Sequence, residues 1–261
     1  MKALHIAASG MLAQELNVEL ISNNIANMRT TGFKRQRADF QDLLYQDLRR
    51  VGTSTSESGS ILPTGVQIGS GVRTAATPRI MSQGTLSSTE KETDVAIRGE
   101  GFFRVLMPDG RTAYTRDGSF EIDAKGTLVT ADGWTVDPAI TVPSNSTGFT
   151  VNAQGVVQVT VGNASTSTTV GQIQLARFVN KSGLEAIGNN LFLETASSGA
   201  PQVANPGDEG YGTLLQNQLE QGNVNSVSEI SDLIAAQRAY EMNSRVIRAA
   251  DEMMSASVTP K

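Results

Sequence analysis

The two ends of the chain carry a repeating pattern of mainly apolar residues, spaced alternately three and four apart. At the N-terminal end the pattern occupies Leu4, Ala7, Met11, Gln14, Val18, Ile21, Ile25 and Met28. At the C-terminal end it occupies Ile230, Leu233, Gln237, Tyr240, Ser244, Ile247, Asp251, Met254 and Val258. This spacing keeps one helix face continuous and is typical of coiled coils, so it predicts two long helices that pair along these faces.

The C-terminal pattern also has a helix start signal. Ser226 and Glu229 have the spacing of a capping box, in which both side chains satisfy free N–H groups of the first turn. No proline or glycine interrupts the stretch that follows, so the predicted helix has about 30 residues and a length of roughly 45 Å. Polar members such as Gln14 and Gln237 weaken a helix pair but fix its register. The periodicity alone fits equally well two helices that pack on an ordinary core.

The segment after the first helix is polar and locally basic. Residues 29–50 hold six lysines and arginines against three aspartates, in a chain whose net charge is −5. The aromatic residues of this segment do not alternate with the cations as a strand-binding groove requires, so we interpret the cations as a solvated face rather than a nucleic-acid groove. A contact with an acidic neighbour is the second possibility. Residues 52–60 contain no apolar side chain, whereas apolar residues follow, which indicates that this loop contacts another surface. The expected connector contacts are Phe33, Lys34, Arg35, Leu43, Leu44, Ile61 and Leu62.

After Asp94 the pattern changes to a period of two, as expected of β-strands. Asp-Gly pairs mark turns between the first short strands, and the longest predicted strand is 134–142. The sequence therefore predicts an α+β fold in which long N- and C-terminal helices pair as a coiled coil, beside a central antiparallel all-β domain. The expected parts are a terminal helical domain (1–30 and 222–261), an extended connector and loop (31–80) and the β domain (81–221).

Composition and motifs argue against catalysis. The chain has no cysteine and one histidine, His5, which excludes a disulfide framework, a thiolate metal site and a cysteine nucleophile. Asp109, Asp117 and Asp132 each precede glycine, where aspartate favours turns, and nothing distinguishes a carboxylate pair of the glycosidase kind. The Gly-Glu-Gly stretch at 99–101 lacks the third glycine and the following helix of a dinucleotide-binding loop. We therefore predict no enzyme activity, no catalytic residue and no cofactor or metal.

The acidic balance argues against non-specific binding of nucleic acid by the whole chain. No run of about 18 or more apolar residues occurs, so no membrane-inserted segment is predicted. The apolar stretch at 3–13 belongs to a pattern that continues to Met28. We therefore expect it to be part of the mature helix, and any export from the cytoplasm to proceed without a cleaved signal peptide.

Three separated motifs resemble those of one protein family. Residues 22–27 (Ser-Asn-Asn-Ile-Ala-Asn) and 31–34 (Thr-Gly-Phe-Lys) resemble the N-terminal signature of bacterial flagellar rod and hook proteins. Residues 225–251 resemble the C-terminal signature of the same proteins. Residues 99–103 and 114–120 are similar to the start of their β domain. The three motifs occur in the expected order, and the resemblance extends over essentially the whole chain.

Within this family the chain resembles the distal rod members. Its length allows a single β domain, whereas hook proteins carry further ones, and residues 32–37, 40–45 and 62–69 are similar to distal rod sequences. The resemblance implies a structural subunit that assembles into a hollow helical tube, with the terminal helices at its inner wall, and acts as a drive shaft to the hook. The expected assembly residues are Leu4, Met11, Val18, Ile21, Ile25, Ile230, Leu233, Gln237, Tyr240, Ile247 and Met254.

The resemblance also implies partners and a location. The partners are further copies of the chain, the proximal rod and hook proteins, the surrounding ring proteins and the flagellar type III export apparatus. The location is the flagellar basal body, where the rod crosses the periplasm. Two alternatives stay open: another axial subunit of the proximal rod or hook, and a secreted β-domain enzyme with helical oligomerisation arms.

Overall fold

The computed structural model describes residues 2–51, 64–162 and 167–258 of the chain. The chain forms two compact units, each assembled from separate parts of the sequence. The first unit contains residues 1–25, 36–78 and 225–261. The second unit contains residues 26–35 and 79–224. The chain therefore passes from one unit to the other at four points.

The first unit contains two long helices, α1 (Lys2–Ala26) and α2 (Ser226–Val258). Both confirm the helices that the terminal patterns predicted. The N-terminal cap of α2 is Asn225, whose Oδ1 accepts hydrogen bonds from the backbone N–H of Val227 (3.1 Å) and Ser228 (3.3 Å). Asparagine is among the best N-cap residues because its short side chain reaches these free N–H groups. The capping residue thus lies one position before the predicted Ser226.

Four short strands complete the first unit: β1 (Asp39–Asp42), β2 (Tyr45–Arg49), β3 (Val66–Gly69) and β4 (Val72–Ala76). Strand β1 pairs with β4 and β2 pairs with β3, both antiparallel, so one pair is nested inside the other along the chain. Most of their side chains are exposed. Backbone pairing rather than core burial therefore defines these strands, and a hydrophobic pattern does not reveal them.

The second unit is built from strands. In its described part they are β5 (Leu86–Ser88), β6 (Val95–Arg98), β7 (Phe102–Leu106), β8 (Thr112–Thr115), β9 (Phe120–Ile122), β10 (Leu128–Thr130), β11 (Thr135–Val136), β12 (Ser146–Val151), β13 (Val156–Val161), β14 (Ser167–Gln172), β15 (Leu175–Arg177), β16 (Glu185–Gly188), β17 (Leu191–Leu193), β18 (Gln202–Ala204), β19 (Thr213–Gln216) and β20 (Gln218–Glu220). A short 3₁₀ helix spans Lys181–Gly183. The pairings are antiparallel, which confirms the α+β class with a central antiparallel β region.

Strand β7 is the centre of the largest sheet, whose order is β16-β17-β8-β7-β11-β10-β9. On one edge β7 pairs with β8, and on the other its first half pairs with β15 and its second half with β11. Strands β12-β13-β14 form a separate sheet, and β6–β19 and β5–β20 form two-stranded pairs. The prediction of one strand over 134–142 was wrong, because β11 ends at Val136 and Pro138 lacks the N–H that a continued ladder needs.

Apolar clusters lie on both faces of β7, because successive side chains of a strand point to opposite faces. Phe103 is fully buried and packs edge to face on Phe120, with ring centroids 5.1 Å apart. Its neighbour Phe102 packs edge to face on Phe178 and Phe192, both at 6.0 Å. Tyr114 joins the second cluster, and burial raises the pKa of its hydroxyl to about 12. The first cluster also holds Val95, Ile97, Leu128, Val157, Val159, Ile173, Leu175 and Leu214.

A buried ion cluster joins remote parts of the second unit. Lys34 and Glu220 form a salt bridge in which neither side chain is more than 1% exposed. The Lys34 Nζ also donates to the carbonyl of Ser82 (2.9 Å). The Glu220 carboxylate accepts from the backbone N–H of Gly84 (2.9 Å). Three segments that are far apart in the sequence therefore meet at one carboxylate.

Arg116 completes this cluster. Its Nε lies 3.1 Å from the second oxygen of Glu220, as an ion pair that is not aligned for a hydrogen bond. Its terminal nitrogens donate to the carbonyls of Gly99 (2.8 Å) and Gly101 (2.9 Å). Burial lowers the pKa of both Lys34 and Arg116, and the charge of Glu220 opposes that effect. The loss of hydration therefore affects the pKa of both cations more than the attraction of Glu220 does. Without the carboxylate of Glu220, the two buried cations would have no counter-charge in this cluster.

Glu220→Gln keeps the size of this side chain and removes its charge. We expect the variant to lower the free energy of unfolding of the second unit by about 3–5 kcal/mol, because two buried cations lose their counter-charge. Urea denaturation measures the loss. The matched control is Glu185→Gln at an exposed position of β16, for which we expect a change below about 0.5 kcal/mol. Equal stability of the two variants would contradict this account of the cluster.

Candidate assembly site

Helices α1 and α2 run antiparallel to each other in the first unit, and two contacts fix this direction. Asn24 Nδ2 donates to Glu229 Oε2 (3.1 Å). Gly10 faces Asn243, whose Nδ2 would lie 2.8 Å from a side-chain carbon added at the glycine. The two contacts are fourteen residues apart on both helices, which is two heptads, so the same faces meet at both points.

Asn24 makes three hydrogen bonds in this contact. Its side chain is 1% exposed, and Nδ2 donates both to Glu229 and to the carbonyl of Gln36 (2.9 Å). Its Oδ1 accepts from the backbone N–H of Gln36 (2.9 Å). Glu229, whose carboxylate accepts the first of these bonds, is itself only 2% exposed. One amide therefore ties the end of α1 to the start of α2 and to the chain that follows α1, and its loss would leave buried polar groups unsatisfied.

Ser9 connects α1 to the strands of the same unit. Its Oγ donates to the carbonyl of Ile6 (2.8 Å) and accepts from the backbone N–H of Val72 (3.2 Å). Gly71, which precedes β4, has a φ of +120°, and a side-chain carbon there would lie 2.3 Å from Ser9 Oγ. Only glycine combines this backbone conformation with so close an approach, so Gly71 and Ser9 together place β4 on the helix.

The expected assembly residues of α1 lie on the side that its own unit covers. Ile21 is buried, and the remaining ones are half-buried: Leu4, Met11, Val18 and Ile25. Ala7 and Ala13 are buried as well. The opposite side of the helix is open, as shown by Leu12, which is 67% exposed.

The expected assembly residues of α2 are divided between two sides. Leu233, Ile247 and Met254 are half-buried, whereas the others are exposed: Ile230, Gln237 and Tyr240. The buried positions are Glu229, Ala236 and Ala250. Each lies one residue before an exposed member of the predicted pattern, namely Ile230, Gln237 and Asp251. The face that α2 turns to its own unit is therefore lined by small and polar residues. The role of the predicted residues between copies stays a prediction.

The sequence pattern missed further apolar residues on the exposed side of α2. They are Val227 (74% exposed), Ile234 (46%), Met242 (61%), Val246 (48%) and Met253 (67%). Ile230 (49% exposed) forms a row with Ile234, Met242 and Val246 at intervals of four residues, and Arg238 occupies the position between Ile234 and Met242. Residues four apart are neighbours on a helix surface, so a search for that interval would have found the row. An exposed group of large apolar side chains of this kind indicates an interaction site.

The expected connector contacts fall in both units. In the second unit Lys34 belongs to the ion cluster, and its neighbours Phe33 and Arg35 are half-buried. In the first unit Leu43 is half-buried, whereas Leu44 is 88% exposed, next to Tyr45 (58%) and Leu48 (60%). The remaining two, Ile61 and Leu62, lie outside the described residues.

Within the described ranges, no group of three or more histidine, cysteine or acidic side chains is placed to hold a metal ion. In the same part of the chain, no helix combines the length and the hydropathy that crossing a membrane requires.

Asn24→Asp tests the contact between the helices with almost no change of shape. At neutral pH the new carboxylate would face Glu229, and we expect a loss of about 1–3 kcal/mol from the first unit. Two carboxylates that share a site raise their pKa above the value in the unfolded chain, so stability should return as the pH falls and one of them binds a proton. Thermal unfolding followed by helical circular dichroism at pH 7 and pH 4 measures both effects.

The matched control is Asn17→Asp, seven residues earlier on α1 and, by the heptad spacing, level with Ala236 rather than with a carboxylate. We expect little loss there and no recovery at acid pH. A pH dependence that is the same for both variants would contradict the assigned contact between Asn24 and Glu229.

Comparison with known proteins identifies the family. Three family models match the chain: Flagella basal body rod protein over residues 4–34, Flagellar hook protein FlgE/F/G D1 domain over 96–159 and Flagellar basal body rod FlgEFG protein C-terminal over 215–259. The flagellar basal-body rod protein FlgG of Caulobacter vibrioides is 57% identical over 257 residues, which cover 98% of both chains. FlgG of Agrobacterium fabrum is 50% identical over 98% of this chain and 97% of its own.

A hook protein gives a shorter match. The flagellar hook protein FlgE of Helicobacter mustelae is 42% identical over 138 residues, which cover 52% of this chain and 30% of the hook protein. The match to the rod proteins extends over nearly the full length of both partners, whereas the match to the hook protein does not. On this evidence the chain belongs to the FlgG family of flagellar basal-body rod proteins.

Proposed function

We propose that the chain is a structural subunit of the flagellar distal rod, which polymerises into a hollow helical tube and transmits torque to the hook. Family membership supports this proposal and makes the chain a structural rod protein of the flagellar basal body rather than an enzyme. The proposal of a proximal rod or hook subunit has weaker support, since the relatives that match over the full length are FlgG proteins.

The observation that carries the assembly is the exposed apolar row of α2. A tube requires a heterologous contact, in which one surface of a subunit meets a different surface of the next and the arrangement does not close. Apolar side chains such as Met242 and Val246 are left open by their own unit, so their burial between copies would supply the driving force. We propose that α1 and α2 pair as a coiled coil in the tube and that neighbouring copies cover the rest of α2.

The same proposal assigns the further partners. The ends of the tube would contact the proximal rod and the hook proteins, and its outside would contact the surrounding rings where the rod crosses the periplasm. Subunits would reach the growing end through the flagellar export apparatus, without a cleaved signal peptide. These assignments rest on the family and on the resemblance of the terminal motifs, and the exposed residues of the connector, such as Leu44 and Tyr45, are the candidate contacts between copies.

Ile247→Asp tests the proposed assembly. Ile247 is a half-buried member of the helical pattern, and an unpaired charge there would cost several kcal/mol, on the order of 3, once neighbouring copies exclude water. We expect polymerisation of the purified chain to fail while the β-sheet signal in circular dichroism survives, because the second unit has its own core. Sedimentation and negative-stain electron microscopy follow the polymer.

The control for this variant is Ile187→Asp, the same change at a position of β16 that is 41% exposed. We expect this control to polymerise like the unaltered chain. Unimpaired polymerisation of Ile247→Asp would contradict the assembly role of the helix, and loss of the β-sheet signal would show that α2 belongs to the β core.

A further inference from the structure

The open side of α1 is acidic. Glu15 and Glu19 are exposed and lie four residues apart, so their carboxylates are neighbours on the helix surface. In the described part of the chain, neither has an ion-pair partner. Like charges at this spacing disfavour a helix, so a nearby cation would stabilise it.

The exposed side of α2 carries the complementary charges. Arg245 and Arg248 are exposed and lie three residues apart, and Arg245 is a surface neighbour of the exposed Met242, three residues before it. Glu241 and Glu252 lie one turn to either side, yet no ion pair joins any of these four charges among the residues that the structure describes. Two cations on α2 therefore match two anions on α1 in number, and their separations along the helix axis, about 4.5 Å and about 6 Å, are similar.

These charges cannot meet within one chain. The contacts Asn24–Glu229 and Gly10–Asn243 fix the antiparallel register of the two helices. In that register Arg245 lies level with Ala8, which is seven residues, or about 10 Å, from Glu15 along the helix axis. The glutamates also lie on the side of α1 that is open, away from the buried face. A pairing of these charges therefore requires a second copy.

We infer that the acidic side of α1 in one copy docks on the arginine pair of α2 in a neighbouring copy, with Glu15 opposite Arg248 and Glu19 opposite Arg245. This inference rests on the proposed polymer, in which all copies point the same way, so that helices along the tube axis meet antiparallel between copies as they do within one. The charge pairs select the partner surface and its register, and burial of the adjacent apolar row supplies the affinity.

Reciprocal charge reversal tests the contact. One variant is Glu15→Arg with Glu19→Arg, and the other is Arg245→Glu with Arg248→Glu. Each alone brings like charges together between copies, and we expect each to raise the concentration needed for polymerisation about tenfold or more. An equimolar mixture should polymerise like the unaltered chain, since the reversed α1 of one variant fits the reversed α2 of the other. Raising the salt concentration should reduce the polymerisation defect of each variant on its own, because salt screens the repulsion between the like charges.

Glu185→Arg with Glu209→Arg is the control, because it makes the same change of charge at exposed positions of the second unit and should not affect assembly. Normal polymerisation of both single variants would overturn the inference while leaving the proposed function intact. Rescue only when all four reversals are in one chain, and not in the mixture, would place the charge pairs within a copy and would also overturn it. Failure of the unaltered chain to polymerise would overturn the proposed function and this contact with it.

Discussion

Helix α2 carries apolar side chains around more of its circumference than its own unit covers. Ala236 and Ala250 pack inward, while Ile234, Met242 and Met253 lie on exposed sides. A helix with one apolar stripe is satisfied by one neighbour, but a helix that is apolar on several sides needs several neighbours. Burial of these exposed side chains between copies, as proposed above, would remove this imbalance. The polar contact at Asn24 sets how the two helices present their remaining surfaces.

The second unit is self-sufficient by comparison. Its core is covered on both faces of β7, and the buried cations Lys34 and Arg116 share the carboxylate of Glu220 as their counter-charge. Buried ion clusters of this kind contribute less to net stability than apolar packing does. An arrangement that separates their members is nevertheless strongly destabilised, because it leaves buried charges unpaired. A β unit with a core of its own, in a chain whose helices would gain neighbours on the proposed assembly, suits a subunit that is added to the end of a growing polymer.

The sequence predicted those elements whose side-chain pattern follows from burial. The 3,4 spacing revealed both helices, and alternation with aromatic residues revealed strands such as β7. The nested strands β1–β4 were not predicted, because their side chains are mostly exposed and leave no alternation to detect. Within the candidate site, Glu229 was assigned to a capping box, and its bond to Asn24 was missed for a different reason: a buried hydrogen bond between residues far apart in sequence depends on the register of two helices, which no local pattern encodes.

Hydrogen exchange of the backbone amides, compared between dilute monomer and polymer, tests this account most directly. Exchange reports local opening, which is easiest where few tertiary contacts hold an element. The account predicts that amides of α2 exchange rapidly in the monomer and slow markedly in the polymer, while those of β7 and its neighbours stay equally protected in both. Protection of α2 in the monomer as strong as in the polymer would contradict the claim that neighbouring copies complete the helical unit.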